Sequence, residues 1–125
     1  MNRFLLLISF VTIIGCAKTY FNEGSVATNS SSYKRGETIR VDWTVTSAKI
    51  GDCIVITERN SAYDKKLTLQ KTNGLLTGQV SFRAGGESKY YVARHHKNCK
   101  FNKKAISAES TPFKIEPETS TDPGL

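Results

Sequence analysis

From residue 38 the chain alternates apolar and polar positions with period two. Ile39, Val41, Trp43 and Val45 fall on one face of a strand spanning 37–45, and Thr38, Arg40, Asp42 and Thr44 on the other. That is the pattern of a strand with one face in a core and one in water, so Trp43 is expected inside. Cys53-Ile54-Val55-Ile56-Thr57 is almost continuously β-branched, which predicts a central strand over 52–57. Leu67 and Leu69 around Thr68 predict a strand over 66–70. Val80 and Phe82 predict one over 75–82, and Tyr90, Tyr91 and Val92 one over 89–95. Phe113 and Ile115 predict a last strand over 110–116, and a short first strand is placed at 25–28. Asn73-Gly74 is a hairpin signal, because both central residues of a type I′ turn need positive φ. Gly85-Gly86 turns the chain again. No stretch outside the N-terminal leader repeats every 3.6 residues, so the chain reads as all-β.

The count of about seven short strands with turns between them predicts a single antiparallel immunoglobulin-like β-sandwich over 18–116. The segment 117–125 is rich in Pro, Thr and Ser and is expected to be disordered. In that topology the loops after 45, 70 and 95 gather at one end. Cys53 opens one strand at that end and Cys99 lies just past its antiparallel neighbour, so the two thiols are placed to meet.

The leader decides how the cysteines are counted. Met1-Asn2-Arg3 precedes an apolar run from Phe4 to Ile14 and a small-residue exit, the pattern of a secretory signal over 1–17. The run is shorter than the roughly 20 residues that span a bilayer. Gly15 and Ala17 suit cleavage after Ala17. Alternatively, Ile13-Ile14-Gly15-Cys16 resembles a bacterial lipobox, in which Cys16 becomes a lipidated N-terminus. Under either reading Cys53 and Cys99 remain, and in an oxidising compartment two cysteines most simply form one disulfide. The protein is therefore expected to be secreted, or anchored at a membrane as a lipoprotein.

Composition adds a partner class. The formal charge is +7 over 125 residues. A basic surface favours acidic partners: an anionic polysaccharide, a cell wall or a membrane surface. A protein partner is the rival, and nucleic acid is not expected. The basic residues concentrate in Arg94-His-His-Lys97-Asn-Cys99-Lys100-Phe101-Asn-Lys103-Lys104. Lys49 and Lys71 should share that end. These eight positions, Lys49, Lys71, Arg94, Lys97, Lys100, Phe101, Lys103 and Lys104, are the candidate ligand-binding set, with Phe101 offering a stacking surface. Asp52 is the main acid there.

No enzyme is signalled. Asp42, Asp52, Glu58 and Asp64 are scattered, and no nucleophile or carboxylate is placed beside His95-His96, which read as surface loop histidines. Four-ligand zinc spacing is absent, and no metal or cofactor is expected. Asn29-Ser30-Ser31 is a glycosylation sequon, meaningful in a eukaryotic host.

Five motifs together resemble a group of Ig-like modules. They are Tyr33-Lys-Arg-Gly36-Glu37, Val41-Asp-Trp43-Thr44, Gly51-Asp52-Cys-Ile54-Val-Ile56, Tyr90-Tyr-Val92 and Ser110-Thr-Pro-Phe113-Lys-Ile115. Their order is similar to that in the N-terminal domain of fungal Ser/Thr-rich, GPI-anchored wall proteins of the β-1,6-glucan assembly type. It is similar more distantly to SKICH-type domains, where a tryptophan stands at the place of Cys53. The resemblance spans about residues 33–115 and implies a sandwich and a wall or surface role. It carries over no active-site residue. The chain departs from the fungal pattern in having no Ser/Thr-rich stalk or anchor signal, and from SKICH modules in being exported.

Overall fold

The computed structural model describes residues 23–60 and 66–117. The leader with Cys16, the tail beyond Pro117, and Asp64 lie outside the described residues. Among the described residues nine strands form: β1 (Gly24–Thr28), β2 (Ser32–Lys34), β3 (Thr38–Val45), β4 (Cys53–Glu58), β5 (Thr68–Lys71), β6 (Thr77–Arg83), β7 (Tyr90–His96), β8 (Ile106–Glu109) and β9 (Phe113–Glu116). They make two sheets. One has the order β1-β3-β6; the other runs β2-β9-β7-β4-β5, with β8 also paired to β7.

The period-two reading of β3 holds at every position, since Ile39, Val41, Trp43 and Val45 are buried and their neighbours exposed. They meet Val26 and Phe82 of the same sheet. Ile54, Ile56, Tyr33, Tyr91, Phe113 and Ile115 of the other sheet complete one shared core. Tyr91 closes one end of it, its hydroxyl donating to the Glu87 carbonyl at 2.8 Å.

Several expectations change. The strand expected at 110–116 begins only at Phe113, and a further strand, β8, forms at Ile106–Glu109 where a loop was expected; Ser110-Thr111-Pro112 separates the two. Ser110 bridges the break: its amide donates to the Ala93 carbonyl and its hydroxyl accepts from the Ala93 amide. A proline lacks the amide a central strand needs, so the break falls where the sequence allows it. The short β2 was expected to be loop. Its one buried residue, Tyr33, is too little for a period to show, and its pairing with β9 is parallel, so the fold is not wholly antiparallel. Asn73 and Gly74 do adopt positive φ, at 58° and 77°. They do not close a hairpin, however. β5 pairs with β4 and β6 with β3, so this turn carries the chain from one sheet to the other.

β4 is buried on both faces. Ile54 and Ile56 point into the shared core. Cys53, Val55 and Thr57 point away from it and are equally buried. Residues opposite one another across a ladder share a face. Register therefore puts Arg94 and His96 on the outer side with Val55 and Cys53, and Lys71 with them. The segment after β7 turns back along this side. It holds two short 3-10 turns, Lys97–Cys99 and Lys103–Ala105, before β8.

Candidate functional site

Cys53 and Cys99 are bonded to each other, with Cα atoms 5.2 Å apart. The bond ties the segment after β7 to the start of β4. Asn98 and Cys99 both hold positive φ. A cysteine seldom adopts that conformation, and here the covalent link fixes it.

Asp52 organises the same end. It is 1% exposed, and its two oxygens accept from the Lys49 amide and the Asn98 amide, both at 2.8 Å. One carboxylate thereby fastens the β3–β4 loop to the turn after β7. Asn98 also approaches Gly51, and the turn at Gly74 lies against Ile50. So the loops 46–52, 72–76 and 97–100 meet at one end of the molecule. A pocket of about 90 Å³ between two of them is lined by Ser47, Ala48, Lys49, Asp52, Lys97 and Asn98.

The predicted cations divide on this frame. Lys49, Lys71, Lys100 and Lys104 are exposed and form no ion pair among the described residues. Lys103 is exposed on the second 3-10 turn. Lys97 reaches Glu23 at 2.9 Å and is part of a surface ion pair. Arg94 does not belong to the exposed set. It is 4% exposed and bound to Glu109 at 2.6 Å, because its position on β7 points it under the returning segment. Phe101 is half-buried. Its ring centroid lies 5.2 Å from that of His96, and the Lys66 ammonium sits over it at 4.9 Å. Lys66 was not among the expected residues. Asn29 is exposed, and its side-chain oxygen accepts from the Tyr33 hydroxyl and the Arg40 amide. Its nitrogen, where a glycan would attach, lies outside those bonds.

The histidines are not on the surface. His95 and His96 are both fully buried. Adjacent strand residues face opposite sides, and here both sides are covered. His95 faces the Ser107 hydroxyl through Nδ1 at 3.1 Å, and its Nε2 stands 3.8 Å from Asp52. His96 Nδ1 is 2.7 Å from the Lys100 carbonyl. A carbonyl only accepts, so that nitrogen carries the proton of the neutral ring. Burial holds both imidazoles below the ordinary histidine pKa.

Ser107, His95 and Asp52 lie in the order of a nucleophile, a base and an acid. Their geometry does something else. The His95–Asp52 separation is too long for a hydrogen bond. Asp52 is occupied by backbone amides, and Ser107 is 1% exposed, so no substrate atom reaches its hydroxyl in this conformation. Asp52 holds the loop end together through the Lys49 and Asn98 amides, and the Ser107 hydroxyl meets His95 Nδ1. Among the described residues no group of His, Cys, Asp and Glu could hold a metal ion. No described helix is long and apolar enough to cross a membrane. No family model matches the chain, and no curated protein matches it.

Proposed function

We propose that this protein is a secreted or surface-held, non-enzymatic binding module that recognises an anionic surface through its lysine-rich loop end. One observation carries the reading. The segments 46–52, 71–76 and 97–105 contain six lysines, of which Lys97 is paired with Glu23, and their one acid, Asp52, is buried and spent on backbone amides. Like charges held close repel one another and cost stability. A disulfide and a buried carboxylate hold these in place, and an anionic partner would relieve the repulsion.

A module of immunoglobulin-like type fits this role. Its support is the order β1-β3-β6 against β9-β7-β4-β5, the Tyr91 hydroxyl bonded back to the Glu87 carbonyl near the start of β7, and Trp43 at the centre of the core. The resemblance to fungal wall modules adds only the motifs that mark these same core positions. The rival reading is a lipid-anchored protein that meets another protein through a sheet face. It draws less from the faces themselves. The outer face of the three-stranded sheet is polar, carrying Thr38, Arg40, Asp42, Gln79 and Ser81. Over part of the larger sheet, at β4 and β7, lies the returning segment.

Glutamate at Lys49, Lys71, Lys100 and Lys104 tests the reading. All four are exposed, so the fold should survive. Retention of the parent on immobilised heparin and on anionic vesicles should fall as salt rises, and the variant should be retained on neither. A folded variant that binds both as the parent does would remove the loop end from the function.

A further inference from the structure

The lysine-rich end also carries the most exposed aliphatic side chains of the described residues. Ile50 is 78% exposed, and Leu75 and Leu76 are 53% each. They come from two loops that touch, since Gly74 lies against Ile50. Nothing in the local fold needs them there. The Leu75 and Leu76 carbonyls accept from the Trp43 indole and the Val45 amide, but those bonds involve backbone atoms that any residue would supply. The residues themselves stay more than half exposed.

Apolar side chains framed by exposed lysines suit one kind of surface. Lys49 directly precedes Ile50, and Lys71 precedes the turn that presents Leu75 and Leu76. In a bilayer interface aliphatic groups enter the acyl boundary while long lysines keep their ammonium groups among the headgroups. Lysines near an anionic bilayer add about fivefold each to the affinity. A polysaccharide would use the lysines and leave the three aliphatics in water.

The chain's path favours the same surface. Glu23 enters the fold at this end: its carbonyl accepts from the Thr46 amide, its own amide donates to the Ser107 carbonyl, and its side chain meets Lys97. Only residues 17–22 separate it from Cys16. Fully extended, that stretch reaches roughly 25 Å. Under the lipobox reading, an acyl anchor on Cys16 would keep this end close to its own membrane.

From this convergence we infer that the end seats on an anionic lipid bilayer, with Ile50, Leu75 and Leu76 entering the interface. The inference rests on the proposed anionic-surface function and narrows it to lipid.

The test uses the exported, processed protein and two variants, Ile50→Trp and the triple Ile50→Ser/Leu75→Ser/Leu76→Ser, each compared with a parent carrying the same N-terminus. The probes are phosphatidylcholine vesicles with and without phosphatidylserine, and heparin. Near-ultraviolet circular dichroism checks that the variants are folded. With phosphatidylserine present, the tryptophan at position 50 should be quenched by brominated acyl chains. The buried Trp43 should not be quenched in the parent. The triple serine variant should bind those vesicles on the order of a hundredfold more weakly and bind heparin as the parent does. An unquenched tryptophan, or a triple variant that binds vesicles like the parent, overturns insertion and leaves the anionic-surface function standing. So does a parent that binds heparin and ignores vesicles. A parent that binds neither probe overturns both.

Discussion

Gly78 stands opposite Trp43 across the β3–β6 ladder, and the indole fills the space a side chain would take. A Cβ at residue 78 would lie 2.6 Å from the indole Cη2 atom. The ring cannot swing away. It is 3% exposed, and its Nε1 donates to the Leu75 carbonyl at 3.2 Å. Gly78→Ala should therefore lower stability by about 1–3 kcal/mol, the range for overpacking a filled core. Chemical denaturation measures it directly, and an unchanged or raised midpoint would mean that the ring can move. The burial of Trp43 was legible from its phase with Ile39, Val41 and Val45. Its need for Gly78 was not, because cross-ladder register cannot be read along one strand. The histidines show the opposite failure. Tyr91, Ala93 and His95 face one side of β7 and Val92, Arg94 and His96 the other, and the strand runs to residue 96, one past its expected end. Polarity argued against it, and polarity is a poor guide where a loop returns to cover its own strand.

At the scale of the element, the segment between β7 and β8 owes its place to a few ties. The disulfide is the strongest. Closing a loop with a sequence separation of 46 removes about 4 kcal/mol of unfolded-chain entropy. Asp52 supplies the second tie and the Arg94–Glu109 pair a third. Cys99→Ser should lower the melting temperature by well over 10 °C, since about 1 kcal/mol moves a domain of this size by roughly 4–8 °C. Vesicle and heparin binding at low temperature should weaken as well, as the loop lysines lose their fixed spacing. A variant that melts like the parent would show that the other ties suffice. The pairing of Cys53 with Cys99 was legible because only two cysteines follow the leader and both were expected at one end. A bond there fits an oxidising compartment. The crossing of the chain between β5 and β6 was not legible. The same Asn73-Gly74 turn serves a hairpin or a change of sheet, and the choice depends on which neighbour β5 finds. Nor did the sequence single out Ile50, Leu75 and Leu76. Leu75 and Leu76 fell in the strand expected at 75–82 and Ile50 in the loop before 52, and the structure leaves all three exposed.

For the whole molecule, two neutral histidines inside a basic fold set its response to acid. His95 is pushed below 6.5 chiefly by burial, against the opposing pull of Asp52 and Glu23; Lys97 adds to the push. His96 is also lowered chiefly by burial, against its bond to the Lys100 carbonyl, with Arg94 and His95 adding to the push. In the unfolded chain both titrate near the ordinary value of about 6.5. Below that pH the unfolded state takes up protons that the native state refuses, so stability falls with pH until the native rings also protonate. Above it both states carry neutral rings and the contribution is flat. The structural reason is visible at His96. Its Nδ1 proton already serves the Lys100 carbonyl, and its buried Nε2 has no partner among the described residues to receive a second. Urea melts should give a constant midpoint from about pH 8 to 7 and a falling one between about pH 6.5 and 5, above the range where ordinary carboxylates titrate. Replacing both histidines with glutamine should lower stability at neutral pH, because the buried ring volume is lost. It should also flatten the slope across the acidic window. A parent midpoint that holds steady or rises on acidification would mean that the native fold accepts the charge, with Asp52 closing on His95 as its counter-ion.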